Sequence, residues 1–435
     1  MQIQAAIVLV VIFFFMLAMS VPISFSIIAS ALITIIMFLN PQFGMFISAQ
    51  KMASGIDSFS MLAVPFLILA GQLMSSGGIA RKLINLAMLI LGKVPGSLAL
   101  TNIAGNAMFG SLSGSGIAAA TAIGGVMNPL EKEEGYDPGF SAATNIATAP
   151  VGQLIPPTNS FIVYSAASGG ASVATLFMAG WIPGLLWAFC CMVVAFFYAK
   201  KKGYVVKRTE KITASEAAKT VLDAIPSLLL IVIVIGGILS GVFTPTEAAG
   251  VAVAYAFILA VFVYKNIKLS QMKDVLVSTA TMTTIVMLII GASSVLSFVL
   301  SFTGLPQAIS NLMLGLTTNK VILLLLINII LLVVGTFMDM APALLIFTPI
   351  FLPVAQSVGM DAIQFGVMIV MNLSIGTITP PVGSVLFVGC SVAELKVEDV
   401  IKRLLPYFAA ICVSLLFVTF VPAVSTWLPT VLGLM

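Results

Sequence analysis

The sequence predicts an all-α polytopic membrane protein that contains two inverted repeats. Of its 435 residues, 60% are apolar and 8% are charged, and the mean hydropathy is +1.19. Soluble domains carry about 25% charged residues because their surfaces must be hydrated. Many apolar stretches approach the ~20 residues with which a helix crosses a bilayer. Two similar segments, 129–160 and 353–384, indicate an internal duplication.

The two similar segments share prolines, glycine, aspartate and serine at one fixed spacing. The matched pairs are Pro129 and Pro353, Gly135 and Gly359, Asp137 and Asp361, Pro156 and Pro380, Pro157 and Pro381, and Ser160 and Ser384. Each segment follows a polar, glycine-containing break in apolar sequence. Such interrupted segments at corresponding places in two halves are the best sequence indication of a secondary transporter and its binding site.

The apolar runs predict five spanning helices in each half. In the first half we expect helices at 3–20, 22–40, 58–77, 138–168 and 174–199. In the second half we expect helices at 221–241, 246–264, 274–303, 361–392 and 404–429. The first helix has no basic segment before it and no small-residue cleavage site after it, so we interpret it as a retained span and not a signal peptide.

Two further apolar segments, 95–129 and 320–355, predict re-entrant hairpins because polar residues and glycine interrupt their centres. One arm of about 14 residues is roughly 21 Å long at 1.5 Å per residue, too short for a ~30 Å hydrocarbon core. The tip of such a hairpin must be buried in protein or line a watery cavity.

The basic residues fix the predicted orientation. With these spans, 17 of the 19 Lys and Arg residues lie on one side of the membrane, and only Lys51 and Lys320 lie on the other. The 17 are Arg81, Lys82, Lys93, Lys132, Lys200, Lys201, Lys202, Lys207, Arg208, Lys211, Lys219, Lys265, Lys268, Lys273, Lys396, Lys402 and Arg403. The positive-inside rule makes that side cytoplasmic and both termini periplasmic. Because five is an odd number, the second half enters the membrane from the opposite side and is inverted relative to the first. The Lys-rich segment 200–219 links the two repeats.

Composition also excludes several functions. The chain has no histidine, so a histidine proton relay or a histidine-ligated metal is excluded. Its four cysteines lie in apolar runs without metal-ligand spacing. No Walker A pattern is present, which argues against ATP-driven transport by this chain. We expect no enzyme activity and no nucleic-acid partner, because the net charge of +4 reflects membrane orientation.

Ser111, Ser113 and Ser115 lie among glycines at the centre of the first hairpin. Small residues there could simply let helices pack closely, but the downstream segment Ile155-Pro-Pro-Thr-Asn favours a binding site. Consecutive prolines remove backbone donors and unwind a helix. The carbonyls and hydroxyls that are freed suit Na⁺, and the helix N-termini beyond the break suit a carboxylate.

Three acidic positions receive different interpretations. Asp339 lies in the second hairpin, and a carboxylate within the membrane predicts a cation site, with an N-cap as the alternative. Glu247 is expected to form a capping box with Thr244 at the outer interface. The run 131–134 (Glu-Lys-Glu-Glu) is interpreted as a solvated cytoplasmic turn.

Several long motifs resemble those of one known family. They are Pro65-Phe-Leu-Ile-Leu-Ala-Gly-Gln-Leu-Met, Gly110-Ser-Leu-Ser-Gly-Ser, Ile155-Pro-Pro-Thr-Asn, Phe243-Thr-Pro-Thr-Glu-Ala-Ala and Thr379-Pro-Pro-Val-Gly. On these the chain resembles the large membrane subunit of TRAP (tripartite ATP-independent periplasmic) transporters, of the DctM-like M type, over nearly its whole length. Within that family it looks most like the sialic-acid branch.

The resemblance implies a Na⁺-driven importer of an organic acid, N-acetylneuraminate first of all, in the bacterial inner membrane, with two or more coupling Na⁺ ions. Its implied partners are a small four-helix membrane subunit and a periplasmic substrate-binding protein. It also implies an elevator. The scaffold would comprise 1–40, 174–264 and 404–429, and the transport domain 58–168 and 274–392, linked by the arms 81–93 and 307–319.

The resemblance also implies ligand sites between the hairpin tips and the broken helices. The first Na⁺ site would use Ser111, Ser113, Ser115, Pro156, Thr158 and Asn159. The second Na⁺ site would use Gly335, Thr336, Asp339, Thr379, Pro381 and Gly383. The substrate carboxylate would lie near Ser115, Asn159, Ser160 and Ser384. Three alternatives stay open: a C4-dicarboxylate TRAP permease, a stand-alone divalent-anion/Na⁺ symporter, and a channel or scaffold.

Overall fold

A computed structural model of the chain describes residues 2–38, 41–92, 94–204, 213–317 and 319–435, and all regular secondary structure in these ranges is helical. The helices before residue 204 are α1 Gln2–Ala18, α2 Ile23–Phe38, α3 Pro41–Ile56, α4 Ala63–Ser76, α5 Ile79–Leu91, α6 Ser97–Ser113, α7 Gly116–Glu133, α8 Pro138–Thr148, α9 Asn159–Ala167 and α10 Val173–Lys202. The helices after residue 213 are α11 Ala214–Leu239, α12 Pro245–Ile258, α13 Met272–Thr303, α14 Leu305–Leu316, α15 Lys320–Phe337, α16 Met340–Ser357, α17 Ala362–Gly376, α18 Ser384–Val392, α19 Val397–Phe420 and α20 Ala423–Val431.

The predicted polytopic helical class is confirmed. By length and composition, seven helices of the described chain can cross a membrane, or eight if α4 and α5, bent by 69°, form one span. Five of the seven correspond to predicted spans, and the other two are α15 and α16, which were predicted as the arms of a hairpin. Among the remaining predicted spans, α1 and α2 are apolar but short, and 138–168 and 361–392 are each broken into two helices. The inverted orientation of the repeats stays a prediction.

Both predicted hairpins are helix–break–helix segments. The first break is Gly114-Ser115 between α6 and α7, and the second is Met338-Asp339 between α15 and α16. The predicted arm length was wrong, since the arms have 17 or 18 residues, and 18 residues span about 27 Å. Serine and glycine interrupt the apolar run at Ser111 and Gly335, but the helices continue through them. Re-entrance therefore stays a prediction.

Both proline pairs break a helix as predicted. Ala149–Gln153 forms a 3₁₀ turn after α8, and α9 begins only at Asn159. The second break separates α17 from α18. Each break holds a cis peptide bond at its proline pair, Pro156-Pro157 and Pro380-Pro381.

Local capping explains where several helices begin. Asp137 accepts hydrogen bonds from the backbone N–H of Gly139 and so caps α8, and Asp361 caps α17 through Ile363. The predicted capping box is confirmed, because Thr244 and Glu247 exchange side-chain and backbone hydrogen bonds at the start of α12. Caps of this type satisfy N–H groups that have no partner within the helix.

Some predictions fall partly on residues outside the described ranges. Within the predicted linker 200–219, α10 ends at Lys202 and α11 begins at Ala214. Residues 205–212, with Lys207, Arg208 and Lys211, lie outside the described part of the chain, as does Lys93 of the first arm. Helix α3 was not predicted.

The two halves of the chain interlock. The second arm of the first hairpin, α7, packs against α18 of the other half. In the same way, the second arm of the second hairpin, α16, packs against α9 of the first half. Helices α10 and α19 pack chiefly against each other and against hairpin and broken helices such as α6, α8 and α17. The scaffold membership of 174–199 and 404–429 stays a prediction. By contrast, α2 and α3 pack against α13, and α4 packs most extensively against α12.

Candidate functional site

Each hairpin touches the broken helix of its own half through paired glycines. A Cβ atom added to Gly152 would lie 2.2 Å from the Cα atom of Gly110. In the second half, a Cβ atom added to Gly376 would lie 2.3 Å from the carbonyl carbon of Gly335. Backbone lies directly on backbone at both places, which only glycine permits. The first arm of each hairpin is thereby fixed against the segment that leads into the break.

The tip of the first hairpin lies against the first break. Gly114 has a left-handed conformation with φ of 62°. A Cβ atom added there would lie 3.3 Å from the carbonyl oxygen of Pro157 and 3.4 Å from Thr158 Cα. Ser113 and Ser115 flank this glycine, so the structure brings both predicted ligand serines to the break. Ser115 also caps α7 by accepting a hydrogen bond from Ala118 N–H at 3.3 Å.

Ser111 lies one turn before the tip, and its hydroxyl donates to the Met108 carbonyl at 2.8 Å. Its proton is therefore used within α6, and its oxygen lone pairs are left as acceptors. Ser111 and Ser113 are both buried. Such hydroxyl oxygens suit a hard cation such as Na⁺.

The first break presents polar atoms without partners. Pro156 and Thr158 are buried there, and Thr158 caps α9 by accepting a hydrogen bond from Ser160 N–H at 3.2 Å. The side-chain oxygens Asn159 Oδ1 and Gln153 Oε1 are buried and have no hydrogen-bond partner in the described structure. An unmet buried acceptor costs about 1–3 kcal/mol, so ligand binding that satisfies either oxygen is favoured.

Gln153 is a site residue that sequence reasoning missed. It ends the 3₁₀ turn before the proline pair, and its Nε2 atom approaches within 3.5 Å of a Cβ atom placed on Gly116 at the start of α7. The sequence did offer one indication of this role, because Gln153 is a single amide side chain in the apolar run before the two prolines.

The tip of the second hairpin meets the second break through the backbone. The Val382 N–H donates to the Thr336 carbonyl at 3.3 Å, while the Thr336 hydroxyl donates to Val333 within α15. Asp339 occupies the N-cap position of α16, but its carboxylate makes no capping hydrogen bond and is exposed. Asp339 therefore lies at the N-cap position that the alternative interpretation predicted, but without the capping hydrogen bond. Its carboxylate is accessible to a cation.

The second break is tightly turned at Gly383. A Cβ atom there would lie 2.8 Å from the Thr379 carbonyl oxygen and 3.0 Å from that of Thr377. The structure therefore brings Thr379 and Gly383 close together. The hydrogen bond from Val382 N–H joins this break to Thr336 in the last turn of α15. Pro381 is exposed, unlike buried Pro156 in the first break. The second site is thus the more open of the two.

Contacts between the halves bring four helix starts together. Ser160 Oγ lies 2.7 Å from Met340 Sδ, which joins the starts of α9 and α16. A Cβ atom on Gly116 would lie 3.2 Å from Val385 Cγ2, which joins the starts of α7 and α18. The predicted substrate residues lie at or next to these helix starts: Ser115, Asn159, Ser160 and Ser384.

Helix N-termini carry partial positive charge and unpaired N–H groups, so this arrangement suits an anion. The two salt bridges of the described chain, Lys82 with Asp223 and Arg403 with Asp137, lie elsewhere. The described residues contain no group of three His, Cys, Asp or Glu side chains able to hold a metal ion. Hydroxyl, amide and carbonyl oxygens are the ligands at hand, as a Na⁺ site requires.

One sequence prediction near the hairpin base is wrong. Glu131 was placed in a solvated turn with its neighbours, but its side chain is 0% exposed. Lys132, Glu133 and Glu134 are exposed as predicted. Glu131 points between α6 and α8 because it lies on the buried face of α7.

A known family matches nearly the whole of this chain. The profile of the tripartite ATP-independent periplasmic transporter, DctM component, matches residues 10–424. This chain belongs to that family. It is the large membrane permease subunit of a TRAP transporter, a multi-pass protein of the bacterial inner membrane. Large subunits of this family work with a small membrane subunit and a substrate-binding protein.

Relatives within the TRAP family carry different names. An uncharacterised protein, YgiK of Salmonella typhimurium, is 48% identical over 96% of this chain and 95% of its own length. The isethionate permease DctMQ of Oleidesulfovibrio alaskensis is 40% identical over 86% of this chain and 59% of its own length. The sialic-acid permease SiaM of Vibrio cholerae is 37% identical over 94% of both chains. Others are named as C4-dicarboxylate and 2,3-diketo-L-gulonate permeases.

A solved structure shares the fold. The Alcanivorax borkumensis YdaH transporter superposes with a TM-score of 0.60 over 85% of this chain and 86% of its own, at 15% identity. At this identity the likeness shows a shared fold alone. The sialic-acid branch is one of several to which this permease is similar.

Proposed function

We propose that this permease imports an organic anion in symport with Na⁺, and that a periplasmic binding protein delivers the substrate. One observation carries the proposal: four helix starts meet where both hairpin tips contact the two breaks. The backbone at these helix starts suits an anion, and the hydroxyl and carbonyl oxygens of the tips and breaks suit cations. Because no Lys or Arg is placed among these residues, bound Na⁺ would offset the substrate charge and so couple the two ligands.

Two Na⁺ sites with different surroundings follow. The first lies among Ser111, Ser113, Ser115 and the break at Pro156, Thr158 and Asn159, and is buried. The second lies among Gly335, Thr336, Asp339 and the break at Thr379, Pro381 and Gly383, and is more open. We infer that the second site supplies the only carboxylate of the two sets, whereas the first relies on neutral oxygens. The cation at Asp339 should therefore exchange more readily with solution.

We further propose that transport follows an elevator motion. The proposed division of the chain into a moving and a static body differs from the one predicted from the sequence, because it is based on which helices pack on one another. The moving body would contain α6–α10 and α15–α20, because these helices pack chiefly on one another. The static body would contain α1–α4 and α11–α13, linked by the arms α5 and α14. With the basic residues cytoplasmic, both termini would be periplasmic.

N-acetylneuraminate is the first substrate to test, on the resemblance to the sialic-acid branch. Relatives of comparable identity are named for isethionate and C4-dicarboxylates. All three bear an anionic acid group, which the helix starts suit equally well. Selection among them would rest largely with the binding protein.

Uptake into liposomes tests the proposal. The permease would be reconstituted with its small membrane subunit and binding protein, and labelled N-acetylneuraminate, succinate and isethionate would be offered with and without an inward Na⁺ gradient. We expect uptake of one acid that requires Na⁺ and the binding protein, and that falls at least ~10-fold in Asp339→Ala, because a charge-assisted contact is worth about 1.5–3 kcal/mol.

The exposed acidic residue Asp274, at the start of α13 and away from the tips, gives the matched control Asp274→Ala. Uptake that persists without the binding protein would favour the stand-alone symporter. Uptake that is indifferent to Na⁺ would refute the coupling.

A further inference from the structure

Glu131 is a completely buried carboxyl with one unsatisfied oxygen. It lies in the last turn of α7, beyond the predicted hairpin 95–129, where α6 and α8 pack against α7. Its Oε1 accepts a hydrogen bond from Asn102 Nδ2 at 3.3 Å. Its Oε2 is buried and has no hydrogen-bond partner in the described structure.

Neither salt bridge among the described residues involves this carboxyl. The adjacent Lys132 is exposed, and Arg403 pairs with Asp137 at 2.9 Å. An ionised carboxylate that is removed from water without a cation costs several kcal/mol, and one neutral amide donor does not offset that cost. A proton on the carboxyl removes the charge.

A partner for such a proton lies across the helix interface. The hydroxyl oxygen of Ser141, on α8, is buried, also lacks a hydrogen-bond partner, and faces the Glu131 carboxyl. A protonated carboxyl gains one O–H donor. One proton on Oε2 would therefore satisfy both atoms.

We propose that Glu131 is a proton-binding site that fills as the pH falls through neutrality, and that its Oε2–H then donates to Ser141 Oγ and holds α7 against α8. The ligand is a proton taken from solution, and no covalent change beyond this protonation is involved. The site is separate from the anion and Na⁺ sites, and it does not depend on the identity of the transported acid.

The electrostatic surroundings support this assignment. Burial raises the pKa of Glu131 to about 7, and the neighbouring polar side chains of Ser141 and Asn102 oppose part of that rise. The titratable groups that face it from the neighbouring segments are Tyr136 and, on α19, Tyr407. Tyrosines are neutral near pH 7. The Asp137 and Arg403 pair is balanced, and the acids that follow on α7 are exposed.

The carboxyl is connected to the first break by side chains. Asn102 Oδ1 accepts from Asn106 Nδ2 at 2.9 Å, and the same amide lies 3.0 Å from Asn145 Oδ1 and from Thr148 Oγ1. Thr148 directly precedes the 3₁₀ turn that leads to the break. Loss of the proton would therefore loosen α8 at a point that is linked to the first candidate Na⁺ site.

The sign of the pH dependence follows from linkage. The folded protein holds this proton more tightly than the unfolded chain, whose carboxyl has the ordinary pKa of 4.5. The stabilisation is therefore fully present below about pH 4.5 and is lost as the pH rises through about 7. Glu131→Gln mimics the protonated carboxyl and should remove this dependence.

Infrared difference spectroscopy tests the proposal on the full chain in lipid nanodiscs. Wild type minus Glu131→Gln should show the C=O stretch of an un-ionised carboxyl that disappears with a midpoint near pH 7. Wild type minus Glu133→Gln, which removes an exposed acid of the same helix turn, should show no such band. No band at about pH 6 would overturn the proposal, as would a band abolished when Na⁺ replaces choline, which would indicate a sodium ion at this carboxyl.

Thermal unfolding gives a second measurement that does not require the variant to be active. The unfolding midpoint of wild type and of Glu133→Gln should fall together as the pH is raised from about 5 to about 8. The midpoint of Glu131→Gln should change less over that range. If the glutamine variant does not fold, the wild-type profile decides alone, and a midpoint that is constant over this range would overturn the proposal.

Discussion

Asn106 and Asn145 form a buried hydrogen bond of 3.0 Å between the first hairpin arm and the first broken helix. Asn372 and Asn328 form the corresponding bond of 2.6 Å in the second half. Each pair joins the first arm of a hairpin to the broken helix of the same half. In both elements the asparagine precedes the glycine at which the two backbones touch. A directional bond together with the glycine contact further along the same interface fixes both the distance and the rotation of one helix on the other, which steric contact alone does not.

The first prediction concerns Asn145→Ala. The substitution removes the Asn106 contact and a second bond from Asn145 Nδ2 to the Ala120 carbonyl at 2.9 Å, and it leaves buried groups unpaired. We expect a loss of about 1–3 kcal/mol in unfolding free energy, measured as a lower thermal midpoint in detergent. Thr121→Ala, which removes an exposed hydroxyl on α7, is the matched control. Equal midpoints for the two variants would contradict this role.

The second prediction concerns the paired glycines. Gly376→Ala places a methyl group 2.3 Å from the Gly335 backbone, which α15 can relieve only by moving away from α17. Overpacking of this kind costs typically ~1–3 kcal/mol. We expect low yield of folded protein by size-exclusion chromatography. Gly250→Ala in α12, where an added Cβ meets nothing within 4 Å, should fold at least as well as wild type because alanine is the better helix former. A well-folded Gly376→Ala protein would refute the close contact.

Sequence patterns identified the elements that depend on local chemistry. The proline pairs, the polar hairpin centres and the capping box at Thr244 each have a local physical cause, and each is found where it was expected. The arm lengths were underestimated because a loss of hydrophobicity at Ser111 and Gly335 was interpreted as a loss of helix. Helix α3 was missed because its sequence is less apolar than a typical span.

The other differences concern burial and contacts that depend on distant parts of the chain and cannot be inferred from the adjacent residues. Glu131 looks solvated beside three charged residues, but α6 and α8 bury it from other parts of the chain. Gln153 becomes part of the site only when the hairpin folds back on the break. The assignment of α10 and α19 to a moving or a static body stays a prediction, because it depends on long-range packing that the apolar periodicity of a helix does not encode.

The third prediction tests whether α8 and α18 belong to one moving body. A Cβ atom on Gly389 would lie 3.6 Å from Ile146 Cβ, within the range of about 3.5–4.5 Å that a disulfide requires. In a background with the four native cysteines replaced, Ile146→Cys with Gly389→Cys should cross-link on oxidation. Because both helices are proposed to move together, oxidised and reduced protein should transport at similar rates. Uptake abolished by oxidation and restored by reductant would show that the two helices move relative to each other, and each single-cysteine variant controls for the substitution itself.

The fourth prediction separates substrate binding from Na⁺ binding at the start of α18. Ser384 is the first residue of that helix, next to Val385, which contacts the start of α7. Its hydroxyl is proposed to donate to the substrate acid group, and a hydrogen bond to a charged group is worth about 1.5–3 kcal/mol. Ser384→Ala should therefore raise the KM for uptake by roughly 10-fold or more, while the thermal stabilisation by Na⁺ without substrate stays as in wild type. Ser391→Ala, an exposed position on the same helix, should leave both quantities unchanged. Loss of the Na⁺ effect in Ser384→Ala would move this residue from the substrate site to the second cation site, since a ligand stabilises only the form that binds it.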